Sequence, residues 1–260
     1  MTIACLDLPA LPLQLVWRRE PAWRSHPVVV IDEDRPQGTV LWACERARGA
    51  GVLAGQRYAH ALGLCVGLRA RVVPAEQIEA ATVELRAMLH RLSPRVEPGE
   101  PGTLWLDGDG LERIFPDAGE RRGEAWGHAI AHAIEAIGLR GAVVVGFSRF
   151  ATYAIARAMR DGILILQSDA DERARASRVP LARLDIDPKL RDALARLGVT
   201  SIGEMVRLPA AASSNASAAR RIASISSQPT SAGIHSSRSR RPKRPMNARS
   251  STTKTTMSSA

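Results

Sequence analysis

Carboxylates at strand ends are the residues of this chain best suited to chemistry. Asp7 closes the apolar run TIACLDL (2–8), just before Pro9. A carboxylate at the end of a central strand is a common place for a metal ligand and for a plain cap; alone, Asp7 reads as a cap. A second acidic stretch is RVEPGEPGTLWLDGD (95–109), where TLWL (103–106) lies between Pro98, Pro101 and Gly102 before it and Asp107-Gly108 after it. That pattern predicts a short strand entered and left through turns. His128 and His132 have a metal-binding spacing, but there is no third ligand nearby and no H-E-x-x-H, so no zinc site is expected. Arg48, in ACERARGAGVLAGQ (43–56), presents a guanidinium beside a short helix, and by itself is a solvated surface residue.

The elements that must position these groups follow from periodicity. Strands are predicted at 2–8, 27–33, 38–44, 70–75, 103–106, 142–148 and 162–166, each a β-branched or apolar run bounded by turn residues. Helices are predicted from the proline-led PALPLQLVWRRE, in which Pro12 could delay the entry by a turn, and at 76–93, 121–139 and 149–160. In the helix at 76–93, Ile78, Val83, Leu85, Leu89 and Leu92 form a core-facing stripe. Strands interleaved with two long helices indicate an α+β sheet with both helices on one face. From about Gln167 only helical signals remain, with Leu194, Leu197 and Ile202 around a Gly198 turn.

At 260 residues the chain is long enough for one large domain or two small ones. Its net charge of +10 is concentrated at the end: residues 210–260 hold 9 Lys/Arg and no acid, which leaves 27 basic against 26 acidic residues before them. Ser and Thr make up 19 of those 51 residues, a composition that cannot bury a core, so 210–260 is expected to be a disordered basic tail. It is either a natural phosphate-binding arm or an out-of-frame or truncated end; the second is favoured, and RSRRPKR (238–244) would bind polyanions in both cases. Cys5, Cys44 and Cys65 lie singly in apolar settings and are expected as buried free thiols. No apolar run approaches 18 residues and the N-terminus lacks a leader pattern, so a soluble, cytoplasmic protein without membrane association is expected.

Taken together, residues 2–209 resemble a Y-family (translesion) DNA polymerase. Four places carry the match: the strand ending in Asp7; Ala43-x-x-x-Ala47-Arg48-x-x-Gly51-Val52-x-x-Gly55; Val96-Glu97-Pro98 followed by Leu106-Asp107; and Gly146-Phe147-Ser148-Arg149-Phe150-Ala151 with Ala154 and Ala156, where Thr152 stands at the family's usual Lys. The resemblance implies an α+β fold with a ferredoxin-like palm and small fingers in 1–166 and a helical thumb in 167–209, whose DPKLRDALARLGVTSIGEMVRL is similar to a helical hairpin that contacts nucleic-acid backbones. The family's chemistry is phosphoryl transfer by two Mg²⁺ ions about 4 Å apart, held by hard oxygen ligands on adjacent strands.

Counted from Glu97-Pro98, the family's central Asp-Glu pair falls on Gly102 and Thr103, and the second acidic position of the first motif falls on Pro9. The triphosphate-binding Tyr position is Glu45, which would repel a triphosphate and leaves Arg48 alone to attract it. Asp7, the one carboxylate kept, is a metal ligand at most. Asp107 and Asp109 lie four and six residues beyond Thr103, roughly 13 to 20 Å along a strand, too far to substitute. Such a combination resembles the ImuB type, the non-catalytic Y-family subunit of the bacterial inducible-mutagenesis complex, with Leu184-Asp185-Ile186-Asp187 where active members carry a glycine-rich hairpin.

By that resemblance the chain is an adaptor in SOS-induced translesion synthesis and DNA repair, without polymerase activity and without a cofactor; Mg²⁺ enters only if it is active. Arg149, Lys189 and Arg196 are the implied DNA contacts. The implied partners are DNA, a sliding clamp, an ImuA-type protein and an error-prone replicative-type polymerase, although no motif for the protein partners is recognisable here. The competing expectations are an active low-fidelity polymerase with unrecognised ligands and a non-functional truncated fragment.

Overall fold

Alternation along β1 (Ile3–Asp7) organises the molecule, because its two faces feed two separate cores. The computed structural model of the chain describes residues 2–208; the expected tail at 210–260 lies outside the described residues. After β1 come α1 (Leu11–Arg19), a 3₁₀ turn at Pro21–Ser25, β2 (Val28–Ile31), β3 (Val40–Ala43), α2 (Glu45–Gly49), α3 (Tyr58–Leu64) and β4 (Arg69–Val72). Next are α4 (Ala75–Leu89), β5 (Val96–Pro98), β6 (Thr103–Asp107), α5 (Leu111–Ile114), α6 (Arg122–Ala136), β7 (Ala142–Gly146), α7 (Arg149–Met159) and β8 (Gly162–Ile165). Three further helices, α8 (Asp169–Ser177), α9 (Pro188–Arg196) and α10 (Ile202–Val206), follow without strands.

The strands form two sheets where one was expected: five strands in the order β5-β6-β1-β7-β8 and three in the order β3-β2-β4. Ala4 and Leu6 of β1, with Leu104, Leu106, Val143 and Val145 beside them, pack under Leu85 and Leu89 of α4 and Trp126, Ile130 and Ile134 of α6. The two long helices thus share one face, as their periodicity implies. The opposite face is covered too. There Cys5, Ala142 and Val144 pack on Ala151, Ala154 and Ile155 of α7, and that core continues into Leu181, Leu184, Ile186, Leu194 and Ile202.

Three local expectations are corrected. Val83 is 58% exposed, because at 100° per residue it sits about 200° from Leu85 and points away from the stripe. Leu92 packs against the core as expected but lies beyond α4, which stops at Leu89 ahead of Ser93-Pro94; the Ser93 hydroxyl donates to the carbonyls of Arg95 and Asp107 and turns the chain into β5. Leu197 is 72% exposed, since the turn after α9 closes through Gly198 at φ +76° with the Val199 amide on the Leu194 carbonyl, so Leu194 and Val199 fill the core instead. Cys5, Cys44 and Cys65 are buried free thiols. Among the described residues no helix is long and apolar enough to cross a membrane.

Candidate functional site

Asp7 ends the central strand opposite Thr103 on β6 and Ala142 on β7. Its side chain shares the α7 face with Cys5 two residues earlier and is almost wholly buried, with 2% exposure. Two donors reach the same oxygen. The Thr103 hydroxyl donates to Asp7 Oδ1 at 3.0 Å, and Nη1 of Arg157, on α7, donates to it at 3.3 Å. Burial pushes the Asp7 carboxyl above its usual value, while Arg157 and the Thr103 bond hold it down. Burial alone would lower the Arg157 guanidinium, but Asp7, Tyr153 and Glu100 outweigh it and keep the cation.

Gly102 sits at φ +97°, and its carbonyl accepts the Leu8 amide at 2.8 Å, closing the strand end against the chain leaving β1. A Cβ built there would lie 2.5 Å from the Leu8 carbonyl oxygen, so the backbone path itself excludes a side chain. Pro9 adds only a carbonyl, bonded by Gln14 Nε2 at 2.9 Å. Asp107 faces Ile3 at the far end of β1, four residues or about 13 Å from the Asp7–Thr103 pair, and its Oδ1 accepts the Asp109 amide at 3.1 Å. The donor set therefore does not fit a pair of Mg²⁺ ions: one carboxylate is already engaged by a guanidinium, and a glycine and a threonine stand where further anions are needed. Among the described residues no group of three or more His, Cys, Asp or Glu is arranged to hold a metal.

Around this pair the fold assembles groups that lie far apart in the chain. Tyr153, one helical turn before Arg157, is pushed up to about 12, mainly by burial. Glu100, in the turn between β5 and β6, is raised by partial burial and by the neighbouring Asp185 carboxyl between α8 and α9. Glu45 and Arg48 are exposed at α2, where the sequence places them, and neither forms an ion pair among the described residues. Arg149 is more occupied than expected. It pairs with Glu97, and its guanidinium lies 4.1 Å from the ring centroid of Trp105, whose Nε1 donates to the Arg149 carbonyl at 3.2 Å. Lys189 and Arg196 are exposed on α9. At the start of α10, the Thr200 and Ser201 amides donate to Glu204, holding its carboxyl down at about 2.

Arg157, Tyr153, Glu100 and Glu172 were not singled out by spacing or motif, and Asp185 only as part of Leu184-Asp185-Ile186-Asp187. A usable signal exists for Asp185, a lone acid between two apolar residues, Leu184 and Ile186, which are buried and force it to the other side of the chain. Glu172 of α8 is 2% exposed and accepts the amides of Phe147 at 2.9 Å and Ser148 at 3.1 Å, capping the entry to α7. Removing it strands two amides, so Glu172→Ala is expected to cost about 1–3 kcal/mol of stability. Urea unfolding followed by circular dichroism checks this, and an unchanged midpoint would rule out the capping role.

Residues 6–168 match the impB/mucB/samB family. The chain is 30% identical over 200 residues to DNA polymerase IV of Moorella thermoacetica, covering 73% of this chain and 47% of that protein. It is 26% identical over 209 residues to DNA polymerase IV of Halorhodospira halophila, covering 77% and 56%. The chain thus spans about half the length of these curated relatives. Among solved structures, DinB from Sulfolobus solfataricus superposes with a TM-score of 0.67 at 17% identity, over 86% of this chain and 65% of that one. An insertion ternary complex of Dbh DNA polymerase gives 0.66 at 16% identity, over 86% and 66%. At such identities the likeness concerns the fold.

Proposed function

The chain belongs to the impB/mucB/samB family, within the Y-family DNA polymerase superfamily, and from that premise we propose that it binds primer-template DNA without extending it. The observation that carries this reading is the state of Asp7. The one family carboxylate kept in the sequence is neutralised by Arg157 and bonded by Thr103, beside a Gly102 whose backbone leaves no room for an acid. Phosphoryl transfer of the family's kind needs anions free to bind cations, and here the anion already has its cation. The role is that of a non-catalytic, ImuB-type adaptor in SOS-induced translesion synthesis, working in the cytoplasm. Its partners by that reading are a sliding clamp, an ImuA-type protein and an error-prone replicative-type polymerase. Arg149, Lys189 and Arg196 are its proposed DNA contacts; Lys189 and Arg196 are free in solvent to reach phosphates, and Arg149 would have to share its guanidinium with Glu97.

A second reading, an active low-fidelity polymerase, is favoured by the names of the relatives, both DNA polymerase IV. Primer extension separates the two. With Mg²⁺ or Mn²⁺ the protein is expected to bind primer-template at low salt and to add no nucleotide. Template-dependent incorporation that is abolished by Asp7→Ala would establish the second reading instead. Absence of DNA binding at low salt would leave neither standing and favour a non-functional fragment.

A further inference from the structure

A basic, aromatic cluster lies outside the Asp7 site, on the three-stranded sheet. Arg69 and Arg71 alternate along β4 and so share one face of that strand. Both guanidiniums lie 5.2 Å from the ring centroid of Trp23, in the 3₁₀ turn between α1 and β2. Arg71 Nη2 donates to Glu20 Oε1 at 2.6 Å, which neutralises it. Arg69 has no carboxylate within ion-pair distance among the described residues. Its Nη2 lies 3.3 Å from His26 Nε2, a contact that supplies no counter-charge. Arg24, exposed on the same turn, bonds only the Gly138 carbonyl among the described residues, at 3.3 Å.

A guanidinium laid on an indole keeps its in-plane N–H groups for a further acceptor. Two arginines on Trp23 thus share one counter-charge, with Arg24 exposed on the same turn. Trp23 carries the two as a platform, which leaves their N–H groups suited to an oxyanion such as a backbone phosphate and not to base stacking. Position supports the same occupant. Arg69 donates its amide to Pro27 at the start of β2, and the Cys44 amide donates to Val28 from the other side. The cluster is therefore two strand spacings, about 10 Å, from the start of α2 with Arg46 and Arg48.

We propose that Arg69 and Arg71, laid on Trp23, together with Arg24 on the same turn, bind the phosphate backbone of single-stranded DNA running past the α2 end of the sheet. The proposal rests on the DNA-binding reading above and assigns it a second contact surface, read by charge and not by sequence. Fluorescence anisotropy of labelled oligo-dT against salt concentration tests it. The Arg24→Gln/Arg69→Gln double variant is expected to bind roughly tenfold more weakly at low salt, and its log-affinity slope against log salt should flatten by about 1.4, or about 0.7 for each phosphate that is no longer neutralised. Arg24→Gln alone should flatten it by about 0.7; because that residue is exposed and bonded to a single carbonyl, the test survives if the Arg69 change unfolds the protein. Arg113→Gln, exposed on α5, serves as the control. Slopes equal to the control's would overturn the proposal, as would loss of poly-glutamate binding with oligo-dT binding intact. A wild type that binds no DNA fails the parent reading and is recognised before any variant is measured.

Discussion

Arg157→Met is expected to destabilise the protein by about 2–4 kcal/mol at neutral pH, with most of that loss disappearing in acid. Removing one partner of a buried pair leaves the other charge uncompensated, a cost of about 3–5 kcal/mol when both are dry. Here Asp7 is 2% exposed but Arg157 is 28% exposed, so part of the pair's field is already screened and the lower range applies. The pH dependence follows from the direction of the Asp7 shift. Its folded value is raised above the ordinary 3.8, so the native state binds the proton more tightly than the unfolded chain does. The stability this contributes is complete below about 3.8 and is lost as pH rises through the raised folded value. Without Arg157, two of the influences holding the carboxyl down are gone and the folded value rises further, so the variant's deficit shrinks on acidification. Denaturant unfolding at several pH values reads this directly, and carboxyl NMR of Asp7 reads the titration. Adding Asp7→Asn to Arg157→Met should recover most of the loss, since no buried charge remains. A deficit independent of pH, or no recovery in the double variant, would show that Arg157 acts through packing alone.

Restoring the family's acidic pair as Gly102→Asp/Thr103→Glu is expected to cost about 3 kcal/mol or more and to restore no nucleotide addition. At φ +97° a non-glycine residue carries a backbone penalty of about 1–2 kcal/mol, before the approach of its Cβ to the Leu8 carbonyl is relieved. Replacing Thr103 also removes a hydroxyl that donates to buried Asp7, and puts a further anion beside the Asp7–Arg157 pair. Gly102→Ala isolates the backbone part and should cost about 1–3 kcal/mol alone. A restored double variant that folds with wild-type stability and extends a primer would mean that the β5–β6 turn keeps a path able to carry metal ligands. That result would also favour the active reading of the parent protein.

These expectations depend on different depths of information. The departure from a metal site was legible in one dimension: Glu97-Pro98 and Leu106-Asp107 set a frame, and counting within it puts Gly102 and Thr103 at the acidic positions. The distance that disqualifies Asp107 also needed only strand rise, and the β1–β6 register agrees with it. Strands and long helices were readable because β-branched runs and three-to-four spacing are local. Errors appeared where locality ends. Val83 and Leu197 are apolar residues at plausible spacing whose exposure depends on helix phase and on which residue follows the Gly198 turn.

Residue type and short spacing carry the family frame, the order of elements and the Gly102-Thr103 departure from the central acids. The tertiary structure alone decided what became of Asp7. Its cation comes from Arg157, 150 residues further on, brought to it because α7 packs across the β1 face that Asp7 shares with Cys5. The cap on α7 comes from Glu172 in the next helix, and the positive φ at Gly102 is set by the chain leaving β1. A charge buried at a strand end must find its partner wherever the packed faces bring one, and sequence separation places no limit on that distance. The stretch from 95 to 109 carries Gly102 and Thr103 where the resemblance implies a metal-binding pair; only the folded chain shows that Arg157 is the partner of Asp7.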